Sequence, residues 1–204
     1  MTATLDQPPQ DIVNTAIHGF QTAGQSRPNG TTVTTALLEL ERTAKRAKQK
    51  IPIDALLGTW RLCFSAGKKA KLQSGQSIGN GFYIPKLAIA RITFAQGDKS
   101  EPSLVIKNEL QIGPLTVRFT GPARYPGKKN LLVFDFTHLQ VRCFGLTMYA
   151  GQVGGNQRTH QTFEDVPIGK LPFFAFFAAS DSYIAARGRG GGLAIWIHEN
   201  SGKQ

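Results

Sequence analysis

LLGTWRLCFS, Leu56 to Ser65, decides the fold. Apolar and polar residues alternate along it, so Trp60, Leu62 and Phe64 fall on one face and Arg61, Cys63 and Ser65 on the other. A period of two is the mark of a half-buried β-strand. Its expected partner stands near the other end of the chain, SDSYIAARGRGGGLAIWIHE from Ser180 to Glu199, with a final strand over Gly192 to Glu199.

The rhythm continues outward from Trp60. In LAIARITF, Ala90, Ile92 and Phe94 oppose Arg91 and Thr93. In LTVRFTG, Leu115, Val117 and Phe119 oppose Thr116, Arg118 and Thr120. SLVIKNELQI reads as a further strand, and in the run NLLVFDFTHLQVRCF, Phe134 and Phe136 share a face against Val133 and Asp135. GKKAKLQSGQSIGNG reads as a long flexible loop, and residues 145–180 receive no assignment. With 22 Gly and 11 Pro breaking the chain into short runs, the expectation is a mainly β fold. Its expected form is a closed antiparallel barrel or sandwich. A barrel of about eight strands leaves room inside for one small ligand. Gly58 and Trp60 on the first strand, with Arg187 late in the chain, are expected to close its floor. Arg187 on the Trp60 ring would be a cation–π contact.

Residues 1–52 form a helical extension and 53–204 one barrel domain. DIVNTAIHGFQTAG carries Ile12, Ala16 and Phe20 at helical spacing, with Gly24 as its end. TTVTTALLELERTAKRAKQK puts Val33, Leu37, Leu40 and Ala44 on one face, with Thr31 or Thr32 as N-cap. Pro52 is its expected stop. The first twelve residues lack a basic segment followed by an apolar one, so neither secretion nor organelle import is expected. LPFFAFFAA, Leu171 to Ala179, is too short to span a bilayer, and no transmembrane segment is expected.

Lys and Arg outnumber Asp and Glu by 24 to 13, a net charge of +11. That field favours a polyanionic neighbour, either nucleic acid or an anionic membrane surface. Arg42, Lys45, Arg46, Lys48 and Lys50 concentrate it at the end of the second helix, and Lys68, Lys69, Lys71, Lys128 and Lys129 add to it. Together with Phe173, Phe174, Phe176 and Phe177, whose doublets alternate poorly as strand, the helix-end bases are expected to face a membrane. Trp60, Phe64, Phe94, Phe119, Phe134 and Phe136 are the candidate ligand walls, although a solid core fits each of them as well.

Cys63 and Cys143 lie inside strands without a CxxC spacing and read as free buried thiols. His18, His138, His160 and His198 show no ligand spacing, so no metal is expected. Asp135 and Asp181 stand alone, no serine sits in a nucleophile elbow, and no enzyme is read. RGRGGG, Arg187 to Gly192, keeps RNA or single-stranded nucleic acid binding open as an alternative, with Gly-rich turn chemistry the simpler reading.

Gly58, Trp60, Leu62, Phe64 and Ser65, with Asp181, Arg187-Gly188, Gly191 and Leu193 to Trp196, resemble the two ends of the plastid-lipid-associated protein (fibrillin) family. The chain departs from that pattern in a shorter Asp181–Arg187 spacing and in Ile184, which stands where a base is usual. The resemblance implies a lipocalin-like antiparallel β-barrel preceded by helices. It implies non-enzymatic binding or carriage of a carotenoid, prenylquinone, fatty acid or other lipid, with no required cofactor. It also implies a cyanobacterial place, peripheral to the thylakoid or cytoplasmic. Bilin-handling proteins also use such barrels, so a bilin chromophore lyase or chaperone is the further alternative.

Overall fold

The computed structural model describes residues 7–22, 24–73, 76–97, 104–153 and 162–199. Two helices come first, α1 (Pro9–Gln21) and α2 (Gly30–Arg46). Thirteen strands follow: β1 (Gly58–Ala66), β2 (Lys71–Gln73), β3 (Gln76–Ile78), β4 (Gly81–Tyr83), β5 (Ala88–Gln96), β6 (Leu104–Ile112) and β7 (Leu115–Arg124); then β8 (Leu131–Phe134), β9 (His138–Cys143), β10 (Leu146–Gln152), β11 (Phe173–Ala179), β12 (Tyr183–Gly188) and β13 (Leu193–His198). No helix among the described residues is long and apolar enough to cross a membrane.

The strands run β7-β6-β5-β1-β13-β12-β11-β8, and β8 returns to pair with β7 through Ala123↔Phe134 and Arg124↔Val133. Eight antiparallel strands therefore close a barrel, and the two helices precede it, which is the lipocalin-like architecture. Its first and last strands meet as the sequence implies, with Trp60 opposite His198. The start of β7 pairs instead with β9, which carries β10 at its outer edge. The chain changes partner at Gly121, where an added Cβ would lie 1.8 Å from the Asp135 carbonyl oxygen. Only glycine admits that approach. The result is a two-stranded flap, β9–β10, that prolongs the sheet beyond the barrel.

Four sequence expectations are corrected here. GKKAKLQSGQSIGNG holds the β2–β3 hairpin, and NLLVFDFTHLQVRCF divides into β8 and β9 around Asp135–Thr137. Asn29 caps α2, its Oδ1 accepting from the Thr32 N–H at 2.9 Å, in place of either threonine. α2 then ends at Arg46, well before Pro52, and Lys48 turns the chain with φ of 49°.

Two apolar layers sit on either side of the barrel wall. Inside, Trp60, Phe94, Ile106, Leu132, Ile184 and Trp196 pack together. Outside, α1 and α2 cover Cys63, Phe64, Phe177, Ala185 and Ile195 with Val13, Phe20, Val33 and Leu37. The wall is thus buried on both faces over β1, β11, β12 and β13, which explains the continuous apolar runs in those strands.

Gly58 has φ of +121°, and a Cβ there would meet His198 Nε2 at 2.9 Å. The position is both left-handed and crowded. Gly58→Ala is expected to cost about 2 kcal/mol, read as a lower urea midpoint. An unchanged midpoint would show that the strand start relaxes freely.

Candidate functional site

The chain that leaves α2 builds one wall of a concavity. Residues 49–51 are clamped to the barrel by the buried side chain of Asn130. Its Nδ2 donates to the Gln49 carbonyl at 2.8 Å and the Phe176 carbonyl at 3.3 Å, and its Oδ1 accepts from the Ile51 N–H at 3.1 Å. The Tyr125 hydroxyl donates to the Ile51 carbonyl at 2.7 Å, and burial raises its pKa, so it stays a donor. A buried amide with its partners satisfied fixes a segment rigidly.

Lys48 and Lys50, on either side of the clamped Gln49, line a cleft of about 870 Å³ together with Lys128 and Lys129. Its floor is apolar: Ala44 from α2, Leu131 from β8, and Ala175 and Phe177 from β11. Lys45 completes a rim of five lysines, while Glu41 is the only acid among the described residues that line it. Lys48, Lys129 and Asn130 all adopt positive φ, 49°, 55° and 49°. Non-glycine residues held there carry local strain, and such strain concentrates at sites that hold ligands.

Glu41 does not neutralise the rim, because its charge is already committed. Arg187 grips it bidentately, Nε to Oε1 at 2.8 Å and Nη2 to Oε2 at 2.6 Å, and Lys45 reaches Oε1 at 2.8 Å. Burial pushes the Glu41 carboxyl up, but the hydrogen bonds and charges of Arg187 and Lys45 outweigh it and hold the group below its ordinary value. Lys48, Lys50, Lys128 and Lys129 make no ion pair among the described residues. The cleft therefore presents uncompensated positive charge above an apolar floor.

The expected floor pair separates. Arg187 leaves the barrel wall outward, towards Glu41 and the Ala70 and Gly191 carbonyls, whereas Trp60 points inward and donates from Nε1 to the Leu56 carbonyl at 2.8 Å. The ring that meets Trp60 is His198, edge-on at 4.7 Å. An arginine two strands away found a carboxylate on α2, which is the stronger partner for a planar guanidinium.

Phe64 is corrected as well. A bulge at Cys63 puts Leu62 opposite Trp196 and Phe64 opposite Ile195, so the alternation skips a residue. Phe64 therefore lies under the helices, edge-on to Tyr83 at 5.2 Å. Phe94, Phe134 and Phe136 do face inward, in an aromatic chain: Phe119 meets Phe136 at 5.5 Å, Phe136 meets Phe134 at 5.1 Å, and Phe134 stacks on Phe174 at 5.1 Å. None of the six candidate wall residues lines the lysine-rimmed cleft.

LPFFAFFAA, whose phenylalanines were expected to face a membrane, carries β11 of the barrel wall. A second bulge, at Phe177, lets its doublets be buried on opposite faces. Phe174 and Phe176 enter the barrel, Phe177 meets the helices, and Phe173 packs with Val133, Val166 and Leu171. Of the helix-end bases, Arg42 pairs with Glu39 on the surface, Lys45, Lys48 and Lys50 line the cleft, and Arg46 is exposed.

RGRGGG forms the β12–β13 turn, and both its arginines are spent on protein acceptors. Arg189 donates to the Gly169 carbonyl at 2.7 Å and the Lys170 carbonyl at 3.0 Å. Cys63 and Cys143 are free, and burial pushes the Cys63 thiol up to about 12, which leaves it protonated and inert. His160 lies outside the described residues.

Sequence reasoning found the lysines of this site but not its organisers, Glu41, Asn130 and Tyr125. One signal was present, since Glu41 falls on the apolar stripe of α2, four residues after Leu37 and three before Ala44. An acid on a buried stripe requires a cationic partner. No family model matches the chain, and no curated protein or solved structure matches it either.

Proposed function

We propose that the protein binds a small amphipathic anion, an apolar chain bearing one carboxylate or phosphate head, in the cleft between α2, β8 and β11. The carrying observation is the rim of five lysines, four of them without an ion pair among the described residues, over a floor of Ala44, Leu131, Ala175 and Phe177. A volume of about 870 Å³ suits a ligand of lipid-fragment size. The apolar chain would shed water against the floor, at roughly 25 cal/mol per Å². The head would rest among Lys48, Lys50, Lys128 and Lys129, which fix its orientation. This reading belongs to the carriage of a hydrophobic molecule implied by the fibrillin resemblance, and narrows it to ligands with an acidic end. It places the ligand outside the barrel, against the wall, because the barrel interior is filled by Trp60, Phe94, Phe134 and their neighbours.

Oleate, lysophosphatidate and a neutral prenylquinone, titrated by calorimetry, test it. The two acids are expected to bind and the quinone is not. Lys128→Glu with Lys129→Glu should weaken acid binding by about tenfold, since an exposed ion contact is worth up to about 1 kcal/mol. Equal binding of quinone and oleate, unaffected by the double change, would reject the cleft as the site.

A further inference from the structure

Six of the exposed large apolar side chains lie at the opposite end of β7 from the cleft. The β6–β7 turn, Ile112-Gly113-Pro114-Leu115, and the β9–β10 turn, Cys143-Phe144-Gly145-Leu146, stand side by side. Leu115 pairs with Cys143, and the Phe144 N–H donates to the Pro114 carbonyl at 3.1 Å. Leu87 joins them, since the next residue, Ala88, pairs with Ile112. Six apolar side chains thus lie on or beside these two turns: Leu87 is 86% exposed, Phe144 83%, Leu146 71%, Met148 67%, Ile112 54% and Leu115 42%. Apolar groups exposed singly are ordinary, but several gathered on two hydrogen-bonded turns mark a contact surface.

Phe144 sharpens the point. Phe144 and Gly145 both have positive φ, 49° and 79°, the geometry of a two-residue hairpin turn in which Asn or Gly usually stands first. A bulky aromatic there is disfavoured twice, by its backbone and by its hydration. Polar residues would serve the turn better, so the turn's own folding does not explain the phenylalanine.

The charges around the turns indicate what covers them. Arg142 brackets the turn, donating to the Gly145 carbonyl at 2.7 Å, and Lys86 adjoins Leu87. The nearest acid on the adjoining strands, Glu109, is held between Arg91 and Arg118. The whole chain carries +11. Apolar side chains at the apex with bases behind them fit an anionic lipid surface, where the turns enter the headgroup layer and the bases meet phosphate. β10 is an edge strand with no second strand partner among the described residues, and that edge limits entry to the turns, because unsatisfied amides do not enter hydrocarbon.

We propose that the paired β6–β7 and β9–β10 turns dock the protein on an anionic membrane surface, with Phe144 and Leu146 as the deepest groups. The proposal stands apart from the cleft, which lies at the far end of β7. Flotation of the full chain with phosphatidylcholine vesicles containing phosphatidylserine tests it, with pure phosphatidylcholine vesicles as reference. Binding is expected to the anionic vesicles and to fall steeply with salt. Phe144→Ser with Leu146→Ser should lower the partition at least tenfold while circular dichroism and the melting temperature stay unchanged. Lys86→Glu should lower it on anionic vesicles only. Vesicle binding unaffected by the double change would overturn the proposal. So would a concentration-dependent dimer that the double change abolishes, in a chain that ignores vesicles.

Discussion

Trp60→Ala is expected to lower the stability of the protein by about 4 kcal/mol, the cost of emptying a large aromatic site in a packed core. Trp60 is 2% exposed, and it joins Leu56, Ile92 and Trp196 in the barrel interior. Small relaxations cannot refill that volume, because neighbouring strands are fixed by hydrogen bonding to β1 on both sides. A loss of this size is a large part of the 5–15 kcal/mol typical of a domain. Trp60→Phe separates packing from polarity. It keeps a ring but leaves the buried Leu56 carbonyl without the indole donor, at about 1–2 kcal/mol. Urea midpoints of the two variants should therefore fall in that order. An alanine variant as stable as the phenylalanine one would mean that the barrel interior adjusts, and that Trp60 does not set its packing.

The barrel was legible in the sequence because its signal is local. Trp60, Ile92, Phe94 and Val117 alternate with polar neighbours, and a period of two survives any arrangement of strands. The pairing of β1 with β13 was legible for the same reason, since both are strong strands at the two ends of one sheet. What escaped depends on bulges and long-range partners. Cys63 and Phe177 each insert one residue, and each insertion sends a phenylalanine to the other face. Nothing in WRLCFS or FFAFFAA announces it, because the bulge forms where the partner strand demands it. The role of Arg187 escaped for a similar reason, as Glu41 lies 146 residues earlier and only the packing of α2 on the barrel brings the two together. The lysines of the cleft were visible as charge, while their arrangement as a rim depended on the Asn130 clamp. Of the phenylalanines expected at a membrane, Phe176 and Phe177 are buried and Phe173 and Phe174 partly so, and the apolar turns were hidden in residues 145–180 and in stretches that read as punctuation.

Glu41 ties the helices, the wall and the cleft together, and its ionisation should be readable as a pH dependence of stability. In the native state the carboxyl is held below its ordinary value of 4.5, since Arg187 and Lys45 outweigh the burial that opposes them. The unfolded chain then takes up the proton first as the pH falls. The stabilisation is therefore fully present above about 4.5 and is lost below it, as the pH falls through the lowered native value. Glu41→Gln removes the charge and leaves Arg187 beside a neutral amide in a site that is 7% exposed on the glutamate side. At pH 7 the cost is expected to be about 3 kcal/mol, as for other broken buried pairs. At pH 3 the wild-type chain has lost part of the same interaction, so the gap between the two should narrow. Urea unfolding of both chains at the two pH values measures it directly. A gap of equal size at both would show that Glu41 acts through its shape and hydrogen bonds alone. Arg187→Lys gives the complementary check: a lysine keeps the charge but cannot grip both oxygens, so at pH 7 it should retain only part of the stability. Because Glu41 lines the cleft, the same variant bears on binding too. Releasing Lys45 from its partner adds positive charge at the rim, and Glu41→Gln should strengthen the capture of oleate even as it weakens the fold. Opposite signs in the two measurements are what a carboxylate spent on holding the structure, and withheld from the ligand, requires.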